Sequence, residues 1–430
     1  MQAHLQIEKN LLQYVDAHRD ELIEILAALV RTPSENTPPT GQEAACQQYC
    51  ANVLRECGYA TDVYEPGEVE GLCEHPLYRP GREYRGRPNI AGRLLGSGGG
   101  RSLILSGHID TVPVGTLPWT RDPFGAQIEG GRLYGRGSND MKAGIATNLF
   151  VARAVREMRL PLRGTLTVES VVDEEFGGVN GTLAGRLRGY LADAAVISEP
   201  SFLRICPAQR GGRTADITFQ VPNGGVLAEA METGIAGQLA WFLSQIPEFA
   251  ALRQSSAPRH ELYAHLANPV PVSVLKLHSG PWGMGEPMAT AGVCKVELFW
   301  QTMPGESADV VDAQFRQWMN EVVQRRPDLF PVAPHVEFPL RWLPGSAISA
   351  ANPLVCELAA CANEVLGARP TVAGIEGPCD LFVFQQDFGI PAVLWGARGG
   401  NTHGADESVE IETVVDAAKV LLLFVQRWCG

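Results

Sequence analysis

Between residues 89 and 198 short apolar runs alternate with helical stretches, and this alternation most narrows the folds open to the chain. The runs NIAGRLL, SLILSG, TLTVESVV and AAVIS are only strand-length, and apolar on both sides. Strands of that kind are buried on both faces of a sheet. Helical patterns at about 141–158 and in GTLAGRLRGYL stand between them. The expectation is an α/β domain with a mixed, mostly parallel sheet covered by helices. Two helices precede it, one with apolar residues at Leu11, Val15, Leu22, Ile25, Leu26 and Leu29 and a stop near Thr32-Pro33, the other at 41–57. Residues 66–88, rich in Gly, Pro, Glu and Arg, read as a surface excursion.

The pattern changes near residue 212. Segment 213–343 reads strand TADITFQV, helix 229–247, strand VSVLKLH, strand VCKVELFW, helix 307–325, strand HVEFPL. That β-α-β-β-α-β order predicts a ferredoxin-like α+β domain inserted into the first. Residues 346–430 return to the first pattern: helix 353–366, a second helix near 380–388, strand PAVLWG and a final amphipathic helix. The expected boundaries are therefore 1–212 with 346–430, and 213–345.

A net charge of −13 without any cluster of Lys or Arg argues against nucleic acid and anionic membrane as partners. No uninterrupted apolar stretch reaches membrane-spanning length. The 10 Cys form no Cys-x-x-Cys pair and sit among apolar neighbours, which suits free thiols in a reducing compartment. With no basic segment leading into an apolar one at the N-terminus, the cytoplasm is the expected location.

Chemistry collects where the strands end. LILSGHIDTVP puts His108 and Asp110 just past a strand, GRGSNDMKAG puts Asp140 before a helix, and AAVISEP puts Glu199 past another strand. VVDEEFGG places Asp173, Glu174 and Glu175 in succession, and NTHGADE brings His403. Each has a bland reading: a structural histidine, a helix cap at Asp140, an ordinary Glu-Pro loop, a solvated acidic turn. Their joint placement is what counts, because carboxyl ends of strands in such a sheet converge on one crevice. Two His among several carboxylates are donors for zinc or a similar dication. One carboxylate bridging two ions would make a two-metal site, and the two dications would remove the repulsion within Asp173-Glu174-Glu175.

SGHIDTVP, GRGSNDMKAG, VVDEEFGG, ISEP and NTHGADE, in that order, resemble the di-metal amidohydrolases and peptidases of the acetylornithine deacetylase, succinyl-diaminopimelate desuccinylase, aminoacylase and carboxypeptidase G group. The resemblance implies that His108, Asp140 and Glu199 bind one ion and that Asp140, Glu175 and His403 bind the other. It implies two divalent ions (Zn, Co or Mn, with occupancy open to look single). Asp110 would orient His108. Glu174 would act as general base and then acid towards an amide. The inserted domain would be the lid, and in many members it also makes a homodimer.

The lid departs from the pattern. Leu227, in VPNGGVLAEA, stands where many members carry an oxyanion-binding His, and Gln301 where many carry an Arg that pairs with a substrate carboxylate. Arg210, His278 and Arg398 are the candidates for replacing such contacts. Trp282, Met284, Phe299 and Trp300 suit either an aromatic substrate or core packing. The resemblance implies a metal-dependent hydrolase of a C–N bond in a small molecule, most simply an N-acyl amino acid. Two alternatives stay open: a non-peptide C–N hydrolase (an aromatic aminohydrolase, or a carbamoyl or formyl amine hydrolase) and a catalytically idle metal-binding relative.

Overall fold

A computed structural model describes residues 2–221, 234–280 and 291–430. The chain divides into two compact units. One comprises Met1–Ala208, Ala347–Ile375 and Cys379–Gly430; the other comprises Gln209–Ser346 with Glu376–Pro378. The short return at Glu376–Pro378 has no counterpart in the boundaries expected from sequence.

The first unit is built on six strands: β1 (Ala60–Tyr64), β2 (Asn89–Leu94), β3 (Leu103–Ser106), β4 (Leu166–Ser170), β5 (Ala194–Ile197) and β6 (Ala392–Leu394). Their order is β6-β5-β3-β4-β2-β1. The first four in that order run parallel, and β2 and β1 pair antiparallel at one edge. All residues of β3, β4 and β5 are buried. This is why those runs lack in-out alternation: both faces are covered. Helices α1 (Arg19–Arg31), α2 (Ala143–Glu157), α3 (Pro353–Leu366) and α4 (Ile411–Cys429) supply much of the cover. The expected first helix is two, divided at His18, and a one-turn π-helix at Val383–Asp387 occupies part of the expected 380–388 helix. A small antiparallel sheet, not expected from sequence, joins Gln127–Glu129, Arg132–Tyr134, Ser408–Glu410 and Gly399–Gly400.

Because β5, β3 and β4 are parallel neighbours, the segments after Ile197, Ser106 and Ser170 leave the sheet side by side. Gly144 lets α2 approach the exit of β5. A Cβ there would lie 2.0 Å from the Ser198 carbonyl oxygen, so no larger residue fits without moving the backbone.

The second unit is a four-stranded antiparallel sheet ordered Val272–Ser279, Val293–Thr302, Gly211–Gln220, His335–Glu337. Helices Gly234–Ser256 and Ala308–Gln324 pack on it, completing the β-α-β-β-α-β order. The first helix passes through Pro247, where sequence suggested a stop. Its second half is anchored: Phe249 is buried against Trp300 and Phe315, and Arg253 donates to Glu306 and Gln314. Trp300 is thus a core residue, stacked on Phe315. Trp282 and Met284 lie outside the described residues, as does Leu227.

Candidate metal centre and active site

The strand-end residues meet in the first unit. Ligand atoms of His108, Asp140 and Glu199 lie within 4.8 Å of one another, and so do those of Asp140, Glu175 and His403. Asp140 offers one oxygen to each group: Oδ1 is 3.2 Å from His108 Nε2, and Oδ2 is 3.4 Å from His403 Nε2. Glu199 Oε1 stands 3.5 Å from His108 Nε2, and Glu175 Oε2 stands 2.8 Å from His403 Nε2.

The electrostatics fit cations at these positions. Burial pushes the Glu199 and Glu174 carboxyls well above the ordinary carboxylate range and Glu175 up to about 7. Burial disfavours charge on His108 too, but the surrounding carboxylates, Glu199 foremost, outweigh it and raise its pKa well above normal. Hydrogen bonds to Asp140 and Glu175 raise His403 to about 11. For Asp140 burial acts upward, yet hydrogen bonds from His108 and His403 prevail and hold it below the usual range. Nitrogen and oxygen donors in two groups of three, sharing one carboxylate, suit a pair of borderline divalent ions.

Glu174 belongs to neither group; its Oε2 is 3.9 Å from His108 Nε2. Asp173 turns the other way. It sits at φ 66° with its carboxylate fully buried, 2.7 Å from the Tyr84 hydroxyl, 3.3 Å from Asn36 Nδ2 and 3.2 Å from Arg82 Nε. A left-handed backbone costs a residue with a Cβ about 1–2 kcal/mol. Here it sends one of three successive carboxylates to an arginine and leaves two for the crevice.

The partners of Asp173 correct the reading of residues 66–88 as a surface excursion. Leu72, Tyr84 and Arg87 are buried. Arg79 and Arg82 donate to the carbonyl of Phe176, the residue after Glu175. Arg79 and Asn180 exchange hydrogen bonds, and Asn180 donates to the Tyr84 hydroxyl. The segment is an arm that grips the acidic turn.

Asp110 grips it from the other side, in a different way from that expected. Its backbone carbonyl, 2.9 Å from His108 Nδ1, meets the imidazole more closely than its carboxylate at 3.6 Å. The carboxylate accepts the N–H groups of Glu174 and Glu175 and a side-chain N–H of Asn36. One residue thus orients a ligand and fixes the turn that carries the candidate base.

A further carboxylate, absent from the sequence-based set, lines the same space. Asp380 accepts the Thr182 hydroxyl at 2.5 Å and borders a small interior space together with Ser106, His108, Glu174 and Glu199. Its charge adds to the upward push on both glutamates. GPCDLF carries no His or second acid to mark it in the sequence.

The candidate substrate residues have other partners. In the second unit Arg210 donates to the carbonyls of Glu376 and Pro269, and Gln301 donates to the same Glu376 carbonyl. His278 lies exposed on the edge strand of that unit. In the first unit Arg398 stands 3.6 Å from Glu410, half exposed.

Residues 104–427 match the family model "Peptidase family M20/M25/M40". The chain is 27% identical to the N-formyl-4-amino-5-aminomethyl-2-methylpyrimidine deformylase of Bacillus subtilis (strain 168), over 97% of this chain and 96% of that protein. It is also 27% identical to the succinyl-diaminopimelate desuccinylase of Rhodospirillum centenum, over 84% of this chain and 90% of that one. Among solved structures it superimposes on human carnosine dipeptidase 1 with a TM-score of 0.72 at 16% identity, covering 98% of this chain and 99% of that one. The yeast di-peptidase Dug1p from Saccharomyces cerevisiae gives 0.74 at 13%, covering 98% of each chain. Together with the two ligand groups sharing Asp140, the match makes this chain a member of peptidase family M20/M25/M40, a metal-dependent hydrolase of C–N bonds in small molecules.

Proposed function

We propose that this enzyme removes a formyl group from a small heteroaromatic amine, using two divalent ions (Zn, Co or Mn) and Glu174 as the proton carrier. The observation that carries the chemistry is the pair of candidate ligand groups sharing Asp140, with a fourth carboxylate, Glu174, beside them and in neither group. Ions held there would polarise an amide carbonyl and an attacking water. His108, Asp140 and Glu199 would hold one, and Asp140, Glu175 and His403 the other. Glu174, whose proton affinity burial raises, takes a proton from the attacking water and returns it to the departing nitrogen. Asp110 and the 66–88 arm keep Glu174 aimed.

Two facts favour the formyl amine over an N-acyl amino acid. The matches to deformylases span 97% and 99% of this chain, and those to desuccinylases span 84%, 84% and 91%. Gln301 and Arg210 bind a backbone carbonyl, and an amide at 301 cannot pair with a substrate carboxylate as an arginine would. The test is competition among N-formyl-4-amino-5-aminomethyl-2-methylpyrimidine, N-acetyl and N-succinyl amino acids and N-carbamoyl compounds. Formate release at a kcat/KM at least about tenfold above every other substrate supports the reading. Preference for an N-acyl amino acid sinks it.

The assembly we propose is a homodimer joined through the second unit. Its edge strand Val272–Ser279 is exposed along nearly all its length, with Val274, Leu275 and Leu277 at 39%, 52% and 47% exposure. Val274 and Leu277 pair with the buried Leu298 and Val296, so they stand on the apolar side of the sheet, and the described residues leave them partly uncovered. Sedimentation at micromolar concentration tests this, with a monomer as the contrary result. No helix among the described residues is long and apolar enough to cross a membrane. With 10 free cysteines, the reducing cytoplasm is the location we propose.

A further inference from the structure

The loop around His403 departs from regular backbone at three residues. Asn401, His403 and Asp406 all have left-handed φ, at 55°, 62° and 55°. Such a loop keeps one shape only where its surroundings over-determine it. Glu407 supplies much of that constraint. It is 1% exposed. Its Oε2 accepts from Arg136 Nη1 at 2.6 Å and from the Gly137 N–H at 2.9 Å. Its Oε1 accepts from the N–H groups of Asn139 and Asp140, both at 3.0 Å. One buried carboxylate thus gathers the backbone of the segment that presents Asp140.

Arg136 and Asn139 complete the link. Arg136, also 1% exposed, directs Nη2 at the carbonyl of His403, 3.4 Å away. Asn139 Nδ2 donates to the Thr402 hydroxyl at 2.7 Å. The loops are so close that a Cβ on Gly399 would lie 2.0 Å from Asn139 Oδ1. Asp406 ties the outer side, accepting the Thr120 N–H and hydroxyl at 2.9 and 2.8 Å. His108 and Glu199, by contrast, leave β3 and β5 directly, and the sheet ladder holds them without help from Glu407.

We propose that Glu407, with Arg136, is a positioning residue: it fixes the spacing of Asp140 and His403, and so sets how tightly the Asp140–Glu175–His403 position holds its ion relative to the His108–Asp140–Glu199 position. This rests on the two-ion reading. Glu407 touches neither ion position nor substrate. Its role is to hold two ligands from segments far apart in sequence at the distance one ion requires.

The test uses the full-length protein loaded with Zn²⁺ and dialysed against graded chelator, with zinc per chain measured by elemental analysis. The parent should lose its ions in two steps, and His403→Ala identifies the step that belongs to its position. Glu407→Gln keeps the size but loses the charge, and it turns an amide N–H toward backbone N–H donors. Loss of a group that orients a ligand typically weakens metal binding about 10–100-fold. The His403 step should therefore move by about that factor, and the other step, which shares Asp140 but keeps His108 and Glu199 on their strands, by clearly less. Should Glu407→Gln fail to fold, Arg136→Lys keeps the charge and loses the fork, and should move the same step in the same direction. Equal movement of both steps, or of neither, refutes the inference while leaving the two-ion reading intact. A parent protein that takes up only one ion refutes both.

Discussion

Replacing Arg82 by Met puts the account of the acidic turn at risk in a way that can be worked from the structure. The Arg82 and Asp173 side chains are 5% and 0% exposed, and Arg82 Nε lies 3.2 Å from Asp173 Oδ1. Removing one member of a buried ion pair costs about 3–5 kcal/mol, because the other charge stays behind uncompensated. Tyr84 and Asn36 still donate to Asp173, and burial already pushes its pKa upward, so the carboxyl has a partial escape by taking a proton. Both arguments place the loss near the lower end, about 3 kcal/mol. Denaturant unfolding of the metal-loaded enzyme reads it directly. The decisive comparison adds Asp173→Asn. In the Arg82→Met background that second change removes the stranded charge and keeps an acceptor for Tyr84, so it should recover most of the loss. In the parent background it should destabilise. Turnover should follow the same order through kcat rather than KM, since the arm aims Glu174 without reaching into the ligand groups. A loss below about 0.5 kcal/mol for Arg82→Met, or no recovery by Asp173→Asn, would refute the clamp.

Four shorter predictions accompany it. Glu174→Gln should keep the fold and both metal positions and lower kcat by about 10²–10⁴, the usual contribution of a general base; activity within tenfold of the parent would show that another group moves the proton. Gly178→Ala should disrupt the turn severely, because its Cβ would fall 1.5 Å from the Asp173 carbonyl oxygen, and a parent-like unfolding midpoint would contradict this. Metal uptake near neutral pH should release protons, since His403, raised to about 11, is protonated in the metal-free chain and must become neutral to bind; calorimetry in buffers of differing ionisation enthalpy measures this, with buffer-independent heats as the contrary result. The same raised value stabilises the metal-free fold below the ordinary histidine pKa of about 6.5, and that contribution should fade as pH rises through about 11, which unfolding midpoints of the stripped protein from pH 6 to 11 would follow.

Local patterns in the sequence sufficed for the central sheet and for the His and carboxylate residues that meet in the crevice. Runs such as SLILSG and AAVIS name their own burial, and each ligand lies within a few residues of a strand or helix end. What could not be read depends on contacts between distant segments. Nothing near Asp173 announces that it turns away from Glu174 and Glu175. That follows from Arg82 and Tyr84, about ninety residues earlier, in a stretch whose Gly, Pro and charge content suggested solvent. Asp380 meets Thr182, far away in sequence, and the stretch GPCDLF itself has no second acid or histidine to mark it. In the second unit the helix-stopping tendency of Pro247 loses to the burial of Phe249 and the ion pair of Arg253 with Glu306, both of which lie beyond it in the helix. Trp300 suited a substrate pocket equally well until its packing on Phe315 placed it in the core.

The central claim is that ions held by His108, Asp140, Glu175, Glu199 and His403 drive hydrolysis of a small formyl amide. The most direct measurement is formate release from N-formyl-4-amino-5-aminomethyl-2-methylpyrimidine by the enzyme as purified, after chelation, and after return of Zn²⁺, Co²⁺ or Mn²⁺, with metal per chain determined at each stage. The account predicts one formate per amine released, loss of turnover on chelation, and recovery that tracks the filling of both positions. Turnover that survives complete removal of metal, or no hydrolysis with both positions filled, would contradict it.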